Sequence, residues 1–443
     1  MHLQSVYESD ADGVMQLAGH DVRDLLRAYG SPLIVMLEDV IRFNCRAYRE
    51  SVERYPRTRV YYAAKALLTT GLCRLFEQEG LGLDVVSAGE LHCALRAGFP
   101  PDKLLLHGNA KTEAELRLAL EHGLGRIVID NLDEIARLDR LTQELDREAA
   151  VQLRITPGVK PSTHRYVQTG QLDSKFGFNL DGGAAREAAR RVTAAARLRL
   201  VGLHCHIGSQ IFASQPFAIA AETMMSFYAD CRRDLGAPLD ELNLGGGLGI
   251  RYLPDDFPPS VSEHLDTIRR VVLEQAERLG LDPPLLCDEP GRSLVGRAGV
   301  TLYTVQSTKR IPGVRNYASV DGGMTDNPRH ALYESRHQVL AADRLDEPAS
   351  ELWSISGRCC ESGDMLVPDA HLPPLAVGDL LAVMATGAYT YSMASNYNRV
   401  ARPALVLAAP GRVDLLAARE TPDDLLRLDR VPAWLRREGE APA

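Results

Sequence analysis

Lys65 ends the run Val60-Tyr-Tyr-Ala-Ala-Lys65, a short apolar stretch with β character. An amine there is a poor choice for packing, because a buried ammonium without a partner is costly. It suits covalent chemistry, since a partly desolvated lysine sheds its proton and forms a Schiff base with a carbonyl. Taken alone, the hexapeptide fits an ordinary surface lysine just past a strand better than a reactive one. Other residues shift that balance. His204-Cys-His-Ile-Gly-Ser209 places two histidines on one side of a strand, and one of them can stack on a flat ring. Gly245-Gly-Gly247 lets backbone N–H groups approach an anion closely. In Glu289-Pro-Gly-Arg292 the arginine is a planar donor fork, and the glutamate is an acceptor for a protonated pyridine nitrogen. The set points to pyridoxal phosphate on Lys65. Each part also has an ordinary reading: a tight turn, a rim ion pair, a satisfied core histidine. A metal at His204 and His206 lacks further ligands of suitable geometry. Ser87-Ala-Gly-Glu90 fits a capping box, which makes Glu90 structural.

These residues need a scaffold that gathers them. Apolar, β-rich runs occur at 60–63, 83–86, 103–106, 126–129, 151–155, 200–205, 242–244 and 285–287, each followed by helix-compatible sequence. That count and length predict an α/β fold, a (β/α)8 barrel of the TIM type, whose chemistry collects where strands give way to their following loops. Lys65, Asp84, His107, His204, His206, Gly245 to Gly247 and Glu289 all fall at such ends. An open doubly wound sheet is the rival, but it would place a glycine-rich loop after its first strand. Beyond about residue 295 short runs at 298–306, 317–320, 352–356, 380–384 and 404–407 predict an antiparallel β domain. The expected division is 1–38 as an N-terminal segment, 39–295 as barrel, 296–430 as β domain and 431–443 as a frayed tail. Residues 12–29 read as largely helical. Leu33–Leu37 reads as a strand, and the sequence leaves open which domain it joins.

Composition sets broad limits. With 443 residues, 45% apolar and 25% charged, the chain resembles an ordinary globular protein of more than one domain. The net charge of -9 disfavours nucleic acid and anionic membrane as partners. No apolar run is long enough to span a bilayer, and Met1-His-Leu-Gln lacks the regions of a signal peptide. Eight scattered cysteines without a CxxC pair fit reduced thiols and a cytoplasmic location.

Tyr62-Ala-Ala-Lys65, Leu83-Asp-Val-Val-Ser-Ala-Gly-Glu90, His204 to Ser209, Gly245 to Gly249 and Glu289 to Ser293 together resemble the fold type III, alanine racemase-like decarboxylases that depend on pyridoxal phosphate. Asp321 to Arg329 with Leu332-Tyr333, Cys360 to Asp364, Gly387-Ala-Tyr389 and Asn396 to Asn398 are most similar to the branch that acts on meso-diaminopimelate. The resemblance implies loss of carbon dioxide to leave L-lysine. It implies that Lys65 carries the cofactor, His206 stacks on its ring and Glu289 meets its nitrogen. Asp84 joins the cofactor site, and Ser209, Gly245, Gly246, Gly247, Gly291, Arg292 and Tyr389 hold the phosphate or the mouth of its site. Arg292, Arg329, Tyr333, Glu361 and Tyr389 bind substrate. Cys360 is implied as proton donor from a partner subunit, so that a homodimer shares its active sites. Cys359 is the alternative thiol, and Arg165 and His330 lie near matched motifs without an assigned role. The rivals are decarboxylases of ornithine, lysine, arginine or carboxynorspermidine, a silent relative that binds the cofactor, and a racemase. A racemase would set an arginine at the ring nitrogen, where this chain has Glu289.

Overall fold

The computed structural model describes residues 6–55, 57–159 and 174–437. Arg165 and residues 438–443 of the expected tail lie outside them. Eight parallel strands form a closed ring: Thr58–Ala63, Gly82–Val85, Leu104–Leu106, Arg126–Ile129, Ala149–Thr156, Leu198–His204, Glu241–Asn243 and Leu285–Asp288. The last pairs with the first through Asp288 and Val60, which closes the barrel. Phe178–Asn179 adds a short parallel edge to the fifth strand. Buried aliphatic side chains on each strand meet an outer ring of helices, the arrangement that apolar runs with helical spacers dictate. Capping is explicit along this ring. Thr112 and Ser260 close capping boxes with Glu115 and Glu263.

The second domain is a mixed sheet. Its long strand Gly299–Ile311 pairs antiparallel with Arg315–Val320, Leu380–Met384 and Leu33–Leu37. Two pairings are parallel, contrary to a purely antiparallel expectation: Leu33–Leu37 with Ala404–Ala409, and Arg315–Val320 with Glu351–Ser356. Leu33–Leu37 therefore belongs to the β domain, where all five residues are buried. A core around the fully buried Trp353 fills the other half of the sheet.

Two local expectations fail. Residues 12–29 are helical only from Val22 to Tyr29. Upstream, Ala18 and Gly19 adopt φ of 52° and 77° and turn Met15–Leu17 back onto His20–Asp21; Asp21 then caps the helix. Glu90 does not close a capping box either. Its carboxylate accepts the N–H of Val86 at 2.6 Å, one residue before the Ser87 cap, because that strand-end donor has no ladder partner.

Candidate active site

A cavity of about 460 Å³ opens where the C-terminal ends of the barrel strands face the β domain. Lys65, Asp84, His206, Ser209, Gly246, Gly247, Glu289, Gly291, Arg292, Arg329, Tyr333 and Tyr389 all line it. Gly245 lies just beneath, fully within the protein. Lys65 stands after the first strand on a turn of 3-10 helix and projects into the open cavity. Burial favours its neutral amine, yet Tyr389, Asp84 and Glu289 hold the proton and the net shift is upward.

Glu289 immediately follows the eighth strand on the cavity floor. Its Oε1 accepts from Asn243 Nδ2 at 2.7 Å and lies 2.8 Å from His107 Nε2; its Oε2 lies 3.2 Å from His204 Nε2. Burial alone would raise this carboxyl, but the two histidines override it and hold it well below the usual range. Burial also pushes His204 down to about 4, so at neutral pH it is an uncharged donor to Glu289. Asp84 is raised by burial, and its Oδ1, 3.7 Å from His107, has no hydrogen-bond partner in the protein. His107, His204 and Glu289 are near enough to ligate a metal, but their hydrogen bonds to one another occupy the atoms an ion would need.

The glycines permit close approach. A Cβ on Gly246 would sit 2.1 Å from the Glu289 carbonyl oxygen, and one on Gly247, at φ 128°, would sit 2.3 Å from that of Gly208. No side chain fits there. A Cβ on Gly291 would crowd Ala63, Ala66 and the Tyr389 hydroxyl, each at 3.2 Å. Beside them Arg292 donates to Ser209 Oγ at 3.2 Å and to the Tyr252 hydroxyl. The guanidinium carbons of Arg292 and Arg329 lie 4.7 and 5.7 Å from the centre of the Tyr389 ring. Burial and the nearby Arg292 charge lower the Arg329 pKa. Both arginines keep an Nε without a partner. Tyr389 holds φ of 59°, a costly backbone state for a residue with a Cβ, and its N–H donates to the Ala66 carbonyl beside Lys65.

Cys360 and Glu361 do not line this cavity. Both are exposed, on a loop pinned by Asp364, which accepts from Met324 and Cys359 N–H, and by Asn398, which accepts from Cys360 N–H at 2.9 Å. Cys359 is half-buried, and burial raises its thiol to about 11. His330 lies within 3.3 Å of the Ser335 carbonyl, outside the cavity lining. Several lining or supporting residues went unread in the sequence: Arg154, Lys175, Phe176, Asn109, Tyr252 and Asn243. Alternation would have found some of them. Gln152 and Arg154, like Glu241 and Asn243, are polar residues two apart on otherwise apolar strands, which puts them inside the barrel.

The family described as "Pyridoxal-dependent decarboxylase, pyridoxal binding domain" matches residues 39–296. The chain belongs to the pyridoxal-dependent decarboxylases. It is 47% identical over 430 residues to a diaminopimelate decarboxylase of Bacillus subtilis, covering 97% of this chain and 98% of that protein. It is 44% identical to that of Mycobacterium leprae, covering 95% and 90%. The crystal structure of the M. jannaschii diaminopimelate decarboxylase with L-lysine superposes with a TM-score of 0.92 at 36% identity, covering 98% of this chain and all of that one. The cofactor of these decarboxylases is pyridoxal phosphate, and the residues present fit it. An amine enters the cavity, a carboxylate held in its ionised form waits at one side, and glycines leave backbone space beside an arginine with an unused donor.

Proposed function

We propose that this chain decarboxylates meso-diaminopimelate to L-lysine and carbon dioxide with pyridoxal phosphate, the last step of lysine biosynthesis. The observation that carries the substrate is the pair of buried guanidiniums, Arg292 and Arg329, for which the described residues offer no carboxylate within ion-pair distance. Uncompensated buried cations call for anions. A phosphate and the substrate's distal carboxylate answer that demand, whereas a simple diamino acid would leave one arginine unmatched.

Bound pyridoxal phosphate supplies an electron sink that lets the α-carboxylate leave as carbon dioxide. Lys65, whose amine enters the cavity, is the residue that would hold the cofactor covalently. Glu289, kept ionised by His107, His204 and Asn243, holds the proton on the ring nitrogen. His206 and Asp84, which line the same cavity, would flank the ring. Ser209, Gly245 to Gly247, Gly291 and Arg292 receive the phosphate, and Tyr389 closes the mouth. Arg329 and Tyr333 take the distal carboxylate, with Arg292 assisting.

Cys360 and Glu361 act from a second copy of the chain. Cys360 delivers the proton to the carbon that has lost its carboxylate, and Glu361 binds the distal ammonium. The support is their exposure on a firmly pinned loop, with Leu332 at 50% and Tyr397 at 43% exposure as further apolar contact surface. Mixing Lys65→Ala and Cys360→Ala proteins, each inactive alone, should restore activity through dimers with one intact site. No recovery after subunit exchange would remove the shared site. No helix among the described residues is long and apolar enough to cross a membrane. Eight free cysteines support a reducing, cytoplasmic setting.

The deciding assay offers meso-diaminopimelate, ornithine, lysine, arginine and carboxynorspermidine to the purified holoenzyme. L-Lysine should form from the first, with no amine product from the others; absence of L-lysine would sink the assignment.

A further inference from the structure

We propose that Asn243 is a positioning residue that holds the two ends of the cofactor site in register, Glu289 on one side and the glycine loop on the other. The inference rests on the seating of pyridoxal phosphate described above and assigns a residue that does not touch it. Asn243 is fully buried at the end of the seventh strand. Its Nδ2 donates to Glu289 Oε1 at 2.7 Å and to Gln152 Oε1 at 3.2 Å. Its Oδ1 accepts the N–H of Gly245 at 2.9 Å. One planar amide thus ties the ring-nitrogen carboxylate to the backbone that receives the phosphate.

The direction of that amide is set from the far end of the barrel. Glu241 accepts from Arg126 Nε at 3.0 and 3.1 Å, so its oxygens are acceptors. Gln152 must therefore turn its amide nitrogen to Glu241, at 2.9 Å, and its oxygen to Asn243. Asn243 then has only one orientation that satisfies all three neighbours. Reversed, it would put Oδ1 against a carboxylate and an amide NH2 against a backbone N–H. Gln152 and Glu241 are as buried as Asn243, so no water competes for these bonds. A chain of dipoles runs from a surface arginine to the cavity floor, and each link fixes the next.

Three variants test it in the holoenzyme, with cofactor affinity of the apoprotein as a readout separate from turnover. Asn243→Leu keeps the number and branching of heavy atoms but removes both donors and the acceptor. It should weaken pyridoxal phosphate binding and lower kcat by about 100-fold, the scale of a small misplacement of reacting groups. Asn243→Asp should add a pH dependence to the wild-type profile. At low pH the introduced carboxyl is protonated and can donate to Glu289, and at high pH the two carboxylates repel, so affinity should fall as pH rises. The ionisable groups that interact with Glu289 there are His107, His204, His206, Asp84, Asp288, Lys65, Arg154, Cys205 and Cys287. Should either variant fail to fold, Gln152→Leu decides, with the same direction and roughly a 10-fold loss. Folded variants with wild-type affinity, wild-type kcat and an unchanged pH profile would overturn the assignment. If wild-type protein itself takes up no pyridoxal phosphate, the proposed function fails and this inference falls with it, an outcome distinct from variants that match a cofactor-binding wild type.

Discussion

Two lysines stand past the first and third strands of the same barrel and have opposite fates. Lys111 is buried in protein, and its ammonium donates to the carbonyls of Gly108 and Val128 and to Glu134 Oε1, at 2.6–2.7 Å. Burial lowers its pKa, and three acceptors answer its three protons. Lys65 projects into an open cavity, and what surrounds it is electrostatic rather than bonded. The chain uses only six lysines among its fifty basic residues, so both are costly exceptions in a protein that prefers arginine. Arginine could replace neither role. Its fork matches no three-acceptor nest, and it cannot lose a proton to become a nucleophile. A charge that the fold has answered is structural; one it has left unanswered awaits a ligand.

The contrast breaks most visibly at Lys65. Lys65→Ala should lower kcat by roughly 10,000-fold and abolish the visible absorbance band of the holoenzyme. A band surviving dialysis would move the attachment elsewhere. Lys111→Met should instead cost about 3–5 kcal/mol in urea unfolding while the folded protein keeps its band, because Glu134 is left buried and charged. Adding Glu134→Leu should return most of that loss. Buried histidines extend the comparison to pH. His204 and His337 are pushed by burial from near 6.5 down to about 4. Between those values the unfolded chain binds protons that the folded one refuses, so stability falls as pH drops through that window and is flat above it. Each contributes up to about 1.4 kcal/mol per pH unit. His337→Gln should shallow that slope in unfolding measured from pH 7 to 4. The smallest effect is expected at Arg329, where Arg329→Met should raise KM for diaminopimelate about 10- to 100-fold without loss of stability.

Much of this was legible in the residues and some was not, for identifiable reasons. The eight strands showed because each carries a short, mostly apolar β-rich run between helical spacers, and the rim residues showed because Lys65, His206 and Glu289 have no place in such runs. Asn243 and Gln152 stayed hidden because a single polar residue between aliphatic ones reads as noise until alternation is applied to short strands. Residues 12–29 misled because Leu17, Val22 and Leu25 keep a helical spacing across a turn that Ala18 and Gly19 make. Leu33–Leu37 is a strand by composition, but which sheet it joins depends on partners more than 250 residues away.

That strand has a topological consequence. It lies between Gly299–Ile311 and Ala404–Ala409, inside the sheet rather than at its edge. The β domain is therefore discontinuous, and the barrel is an insertion within it. An element synthesised early must wait for elements synthesised last before its sheet can close. Unzipping Leu33–Leu37 would detach Ala404–Ala409 and the strand after it from the rest of the domain that presents Tyr389 and Arg329, so a strand distant in sequence from both helps hold the cavity's roof together.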